Sequence, residues 1–330
     1  MSGKKRKRRP RPAALPVREP EAAPPAEIEA RPEPRARREG LFGGVLFGSG
    51  GSVLPPVTRS IGRGVLAVVV QPALVVATLV VVFLAWLVLV ALGFEGTPNR
   101  MVATVAMPPI STYFDLGTGA SLLGVGTGFL VFTGLAILIR TVLYSALAGV
   151  IVEALEDGRV SLYGILSGVR AVPTVLIVQA LSFSLIIGGN LVFPVLGPGI
   201  GFLGFVAALV AGLFFLGFAP TAAVREGRTA LETIRRSGRA AMLPGGRHLL
   251  LCVLYFFLAL PVVVGFSPGG TDITANPTLV TWLFVFVVNI LHVGFMAAFA
   301  YRWIVAEPAV PEEPVRRRAR APAPRTRARR

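Results

Sequence analysis

The chain has 330 residues, 54% of them hydrophobic and only 15% charged, with a mean hydropathy of +0.71. Soluble domains carry roughly 25% charged residues, so this composition excludes an ordinary soluble enzyme and points to lipid as the surrounding solvent. The formal charge of +16 is unevenly spread: of 33 Lys and Arg, 14 lie in residues 1–63 and 9 lie from Arg302 onward. The single cysteine, Cys252, sits in an apolar run, where it can form no internal disulfide and reads as a small core hydrophobe.

Residues 1–40 are built from Lys, Arg, Pro, Ala and Glu. Such a segment buries too little apolar surface to offset its ordering entropy, so it is expected to be a disordered basic tail. Residues 41–63 form a juxtamembrane segment in which several glycines argue against a stable helix. A transmembrane domain over 64–305 follows, with six apolar runs near 65–93, 120–150, 172–192, 199–222, 248–267 and 279–304. Each is long enough for the ~20 helical residues that a hydrocarbon core requires. The first is too long for the apolar part of a cleavable leader and is expected to stay as an anchor. Pro194, Gly197, Pro198 and Gly199 turn the third run into the fourth as a helical hairpin, and Pro261 predicts a kink in the fifth. Residues 306–330 are a second disordered basic tail. The expected fold class is therefore all-α: a polytopic membrane protein of six transmembrane helices.

Six crossings place both termini on one side. With the N-terminus inside, the exterior loops are about 94–119, 193–198 and 268–278, and these hold one basic residue, Arg100, of the 33. The positive-inside rule then predicts a multi-pass protein of the cytoplasmic (inner) membrane with both termini cytoplasmic. The first exterior loop carries Tyr113 and Phe114 as interfacial anchors and is long enough to dip into the membrane surface.

Two interior loops resemble each other. GRVSLYGILSGVRA (158–171) and GRTALETIRRSGRA (227–240) match at six of fourteen positions at an offset of 69, among them Gly158/Gly227, Arg159/Arg228 and Arg170/Arg239. Leu162, Ile165, Val169 and Val172 follow one helical face, as do Leu231, Ile234, Gly238 and Ala241 in the second copy. Both stretches are thus expected to be short amphipathic helices lying in the cytoplasmic interface. Thr229 with Glu232 has the pattern of a capping box, and Ser161 is a candidate cap for the first copy. Pro173 and Pro244 mark the bends into the following crossings. Each unit reads as crossing, interfacial helix, crossing, and the two units are parallel rather than inverted.

The stretch FAPTAAVREGRTALETIRRSGRAAMLP (218–244) and its weaker copy LEDGRVSLYGILSGVRAVP (155–173) resemble six-helix membrane proteins related to the membrane domain of glycerophosphodiester phosphodiesterases. The resemblance covers about 65–304 and neither tail. It implies a membrane architecture; the phosphodiesterase catalytic domain, with its Glu, Asp and His cluster, has no counterpart in this chain.

Searching for chemistry yields single residues rather than a constellation. Arg140 lies inside the second run, where it either snorkels to the headgroups or binds a lipid phosphate or other anion together with Tyr144. Asn289 and His292 share a face of the sixth helix and are candidates for a polar cavity or for packing hydrogen bonds. Gln179 and Asn190 read as packing residues, and Glu153, Glu156 and Asp157 as a solvated helix end. No phosphate-binding loop, Ser-His-Asp arrangement or metal-ligand spacing occurs, so no catalytic residue, cofactor or metal is assigned.

The expected function is a non-enzymatic lipid-interacting or scaffold component of the membrane. Arg159, Arg170, Arg228, Arg235, Arg236 and Arg239 are the candidate contacts to anionic lipid. A transporter or permease subunit, with Arg140, Asn289 and His292 along a path, is the alternative from another class; a membrane enzyme acting on lipids is the third. The tails could also hold a protein partner, whereas missing interleaved aromatics argue against nucleic acid.

Overall fold

The computed structural model of the protein describes residues 53–91, 100–108, 127–192, 195, 197–245, 247–265 and 279–311. The first basic tail, residues 41–52, the anchors Tyr113 and Phe114 and residues 312–330 lie outside the described residues, whereas residues 306–311, expected to belong to the disordered second tail, continue α11 into a 3-10 turn with Val310 buried. Within them the chain is helical, with connecting turns and no strand. In chain order the helices are α1 (Val57–Val70), α2 (Pro72–Ala91), α3 (Arg100–Ala103), α4 (Thr127–Glu156), α5 (Leu162–Arg170), α6 (Val172–Val192), α7 (Pro198–Leu216), α8 (Ala219–Glu226), α9 (Ala230–Ala241), α10 (His248–Gly265) and α11 (Leu279–Ala306), closed by a 3-10 turn over Glu307–Ala309.

Among the described residues three stretches are long and apolar enough to cross a membrane: Ile137–Glu156, Gly199–Glu226 and Leu279–Ala309. The number rises to five if the bent pairs α1–α2 and α5–α6 each count as one span. The first apolar run differs from its expected form. Helix begins at Val57, inside the glycine-containing segment, and breaks at Gln71 with an 85° bend into α2. Pro72 explains the break, because proline pushes the preceding residue out of the helical region. Gln71 has φ −114° and ψ 85°, and its amide Nε2 donates to the Ala154 carbonyl at 2.8 Å, tying the bend to the C-terminal end of α4.

α11 organises the interior. It lines three buried clusters: Val285 and Val288 with Val82 and Val102; Val293 and Ala297 with Leu147 and Ile151; Phe299 and Trp303 with Phe218 and Leu251. α1 lies against α11 with its backbone in close approach at Gly64. A Cβ added to Gly64 would fall 2.1 Å from the Gly294 carbonyl oxygen, so only glycine fits there. Close backbone approach through small residues is how helices associate where lipid removes the hydrophobic drive. α6 and α7 pack as the expected hairpin. The helical assignment of α10 runs through Pro261.

Candidate functional site

The short helices α5 and α9 form where the sequence places them, over 162–170 and 230–241. Each follows a glycine in the left-handed region, Gly158 at φ 67° and Gly227 at φ 60°, which ends the preceding helix and turns the chain. The orientation of α5 is the reverse of an amphipathic helix on a soluble protein, and α9 shares it only at Leu231. α5 buries Gly164 and Gly168 against α4 and turns Leu162 (76% exposed), Tyr163, Ile165, Leu166 and Val169 outward. α9 buries Thr233, Arg236, Ser237, Ala240 and Ala241, and exposes Leu231 at 59%.

The buried faces coincide in register. Gly164 and Thr233, Gly168 and Ser237, and Ala171 and Ala240 are all buried, and each pair is separated by the same 69 positions. Their contacts coincide too. A Cβ on Gly168 would lie 2.0 Å from the Ser145 carbonyl oxygen and 2.8 Å from the Ala146 Cα. Ser237 Oγ donates to the carbonyl of Phe215 at 2.7 Å, the residue in register with Ala146.

Glu153 organises the start of α5. Its carboxylate is buried and accepts hydrogen bonds from the Ser161 N–H at 3.0 Å, the Gly164 N–H at 3.1 Å and the Ser161 hydroxyl. Ser161 also caps the helix as expected, accepting from the Tyr163 N–H at 3.1 Å. The reading of Glu153 as part of a solvated end is thereby corrected: it supplies the negative charge that a helix N-terminus favours. The expected capping box of α9 is not made. The Thr229 side chain accepts no capping bond, and Glu232 pairs with Arg228 instead.

The candidate arginines separate into groups. Arg170 is exposed in the last turn of α5, and Arg235 is exposed on α9. Arg159 is exposed but lies 3.6 Å from both Glu153 and Asp157. Arg228 is half-buried between Glu226, at 2.8 Å, and Glu232. Arg239 donates to the Pro311 carbonyl at 3.2 Å. Arg236 is only 4% exposed, pairs with Glu226 at 3.0 Å and lies 6.0 Å from the centre of the Trp303 ring, facing into the protein rather than toward headgroups.

Arg140, Asn289 and His292 are all buried. Two of them act on one segment. Residues 102–108, expected in an exterior loop, are buried throughout. Arg140 Nη2 donates to the Thr104 carbonyl at 2.7 Å. Asn289 accepts from the Ala106 N–H and donates to the Val102 carbonyl, both at 3.0 Å, and donates to Val285 of its own helix at 2.9 Å. Backbone that leaves helical geometry inside an apolar interior needs such partners. Arg140 therefore points inward and does not snorkel. His292 Nδ1 shares a hydrogen bond of 3.0 Å with the Tyr255 hydroxyl. Gln179 meets Thr141, as a packing residue would, whereas the Asn190 side chain lies outside what is described.

Sequence reasoning missed Arg302, which is fully buried near the end of α11 with Nη1 3.4 Å from the Ser60 hydroxyl. Its position inside an apolar run was the available signal. No cluster of His, Cys, Asp and Glu able to hold a metal occurs among the described residues. No protein-family model matches the chain, and neither the curated proteins nor the solved structures contain a significant match. Among the described residues, fold and site together define an all-helical arrangement with three to five candidate membrane-spanning segments and two short helices, of which α5 turns five large apolar side chains outward and α9 one, Leu231.

Proposed function

We propose that the chain is a non-enzymatic, lipid-interacting component of the cytoplasmic membrane that crosses it six times, with both termini in the cytoplasm. Counting α1–α2 as one bent crossing, the six are α1–α2, α4, α6, α7–α8, α10 and α11. α10 completes the number: its 18 residues, at ~1.5 Å each, reach about 27 Å. The glycerophosphodiesterase-related membrane domain supplies a compatible architecture and no activity.

One observation carries the lipid reading: α5 exposes five large apolar side chains beside the exposed Arg170. In water this face would be an aggregation liability. In a membrane interface it buries apolar atoms among acyl chains and holds a guanidinium at the phosphates. Arg235 and Leu231 offer the same pairing on α9.

Native mass spectrometry of the protein released from mild detergent tests this reading. Each basic residue near an anionic surface contributes about 1 kcal/mol, or roughly fivefold in affinity. The Arg170→Gln/Arg235→Gln double variant should therefore retain much less anionic phospholipid, while Arg236→Gln should not change retention. Equal retention by the double variant and the parent would remove lipid binding from the proposal.

A further inference from the structure

α4 meets α7 and α8 around a small cavity of ≈ 10 Å³, room for about one water, lined by Tyr144, Ala148, Leu213, Gly217 and Phe299 among others. Tyr144 and Leu213 are one register pair of the two similar units, and Ala148 and Gly217 are another. The cavity thus lies where equivalent surfaces of the two units face each other.

Its surroundings are ordered along α4. Toward the start of the helix, Arg140 holds the carbonyl of Thr104, and Pro108 of the same inserted segment lines the cavity. Tyr144, Ala148 and Ile151 follow as the wall. Glu156 comes last, about 24 Å from Arg140 at ~1.5 Å per residue. Glu156 pairs with Arg225, its own register equivalent at an offset of 69. Arg225 pairs in addition with Glu307, just beyond α11. One guanidinium therefore joins both units and the end of α11, about one turn beyond the lining residues Ile151 and Thr221. The arrangement is not fully two-fold: α6 packs along α7, whereas α11 packs against α4 and α10 makes no comparable contact there. Among the described residues, the Glu156–Arg225–Glu307 cluster is a partly exposed ion cluster between the two units.

We propose that Arg225, with Glu156 and Glu307, is an inner latch that holds the two units closed over this cavity, and that breaking it opens the cavity to the cytoplasmic side. The side chains are 29%, 31% and 25% exposed, so salt and water reach the latch, unlike the buried packing around it. The proposal rests on the two-unit reading and on the proposed topology but not on lipid binding, so lipid retention and latch opening fail separately.

The test places a reporter by Ala148→Cys in the full chain, in inside-out vesicles, with a membrane-impermeant maleimide. Cys252 is fully buried and serves as the folding control. In the latch-intact chain both thiols should label slowly. Arg225→Gln should raise labelling at position 148 at least tenfold with Cys252 unchanged, and Arg225→Lys should stay near the parent. If Arg225→Gln also exposes Cys252, the Glu156→Gln/Glu307→Gln variant, which retains the arginine, decides by the same two readouts. Labelling at position 148 that never rises ahead of Cys252, or is already fast with the latch intact, overturns the proposal.

Discussion

α5 and α9 hold the same register on their preceding helices by different chemistry. α5 uses absence: Gly164 and Gly168 let its backbone rest on α4, where Gly149 completes the contact. α9 uses polar groups: Ser237 bonds the Phe215 carbonyl, and Arg236 pairs with the buried Glu226. Gly164 and Thr233 differ in size and polarity, as do Gly168 and Ser237, yet Leu162 and Leu231 are both exposed. What the two sites share is a buried face that includes Gly164 and Gly168 on α5 and Thr233, Ser237 and Ala240 on α9.

The sharpest way to break the comparison is to add volume at one member of a pair and remove a bond at the other. Gly168→Leu would place a Cβ 2.0 Å from a backbone oxygen that cannot move without shifting α4. The expected loss is on the order of 3 kcal/mol, seen as a lower melting temperature in detergent and poor yield. Ser237→Ala removes one hydrogen bond and should cost only about 1 kcal/mol. Similar losses from the two substitutions would show that α5 and α9 are held alike after all.

A smaller effect is expected from Glu153→Ala. The Ser161 and Gly164 amides would lose their acceptor, with a cost of about 2 kcal/mol for bonds to a charged group. The loss should be local. Amide exchange should speed up across 161–166 while α9 remains protected, because no carboxylate plays this part at the start of α9. Uniform acceleration across both helices would mean that Glu153 supports the whole inner surface.

Much of this layout is legible in the sequence, for identifiable reasons. The apolar runs mark the long helices, and Gly158 and Gly227 punctuate them because a left-handed turn favours glycine. The direction of the short helices is harder to read. Leu162 and Leu231 fall on one face by periodicity, but periodicity gives the face and not the solvent it meets. Glu153 looks like one of three acids at a helix end, and only the fold back of Ser161 and Gly164 shows its role. The segment 102–108 carries no composition that separates an inserted loop from a surface one. Its partners Arg140 and Asn289 lie 36 and 183 residues away from the groups they bond, beyond any local pattern.

The smallest expected effect concerns the caps, and it sharpens the comparison most directly. In sequence, Thr229 with Glu232 is the better start signal and Ser161 the weaker one. In the structure Ser161 accepts from Tyr163 and bonds Glu153, while Thr229 makes no capping bond and Glu232 is held by Arg228. Ser161→Ala should therefore cost about 1 kcal/mol, the usual loss of an N-cap. Thr229→Ala should stay within ~0.5 kcal/mol, as surface substitutions without partners do. Both are read from the same thermal melts in one detergent. A larger loss at Thr229 would mean that α9 adopts the capping box in solution and that Arg228 releases Glu232 to make it. That outcome would leave Arg228 more exposed and add it to the exposed arginines Arg170 and Arg235.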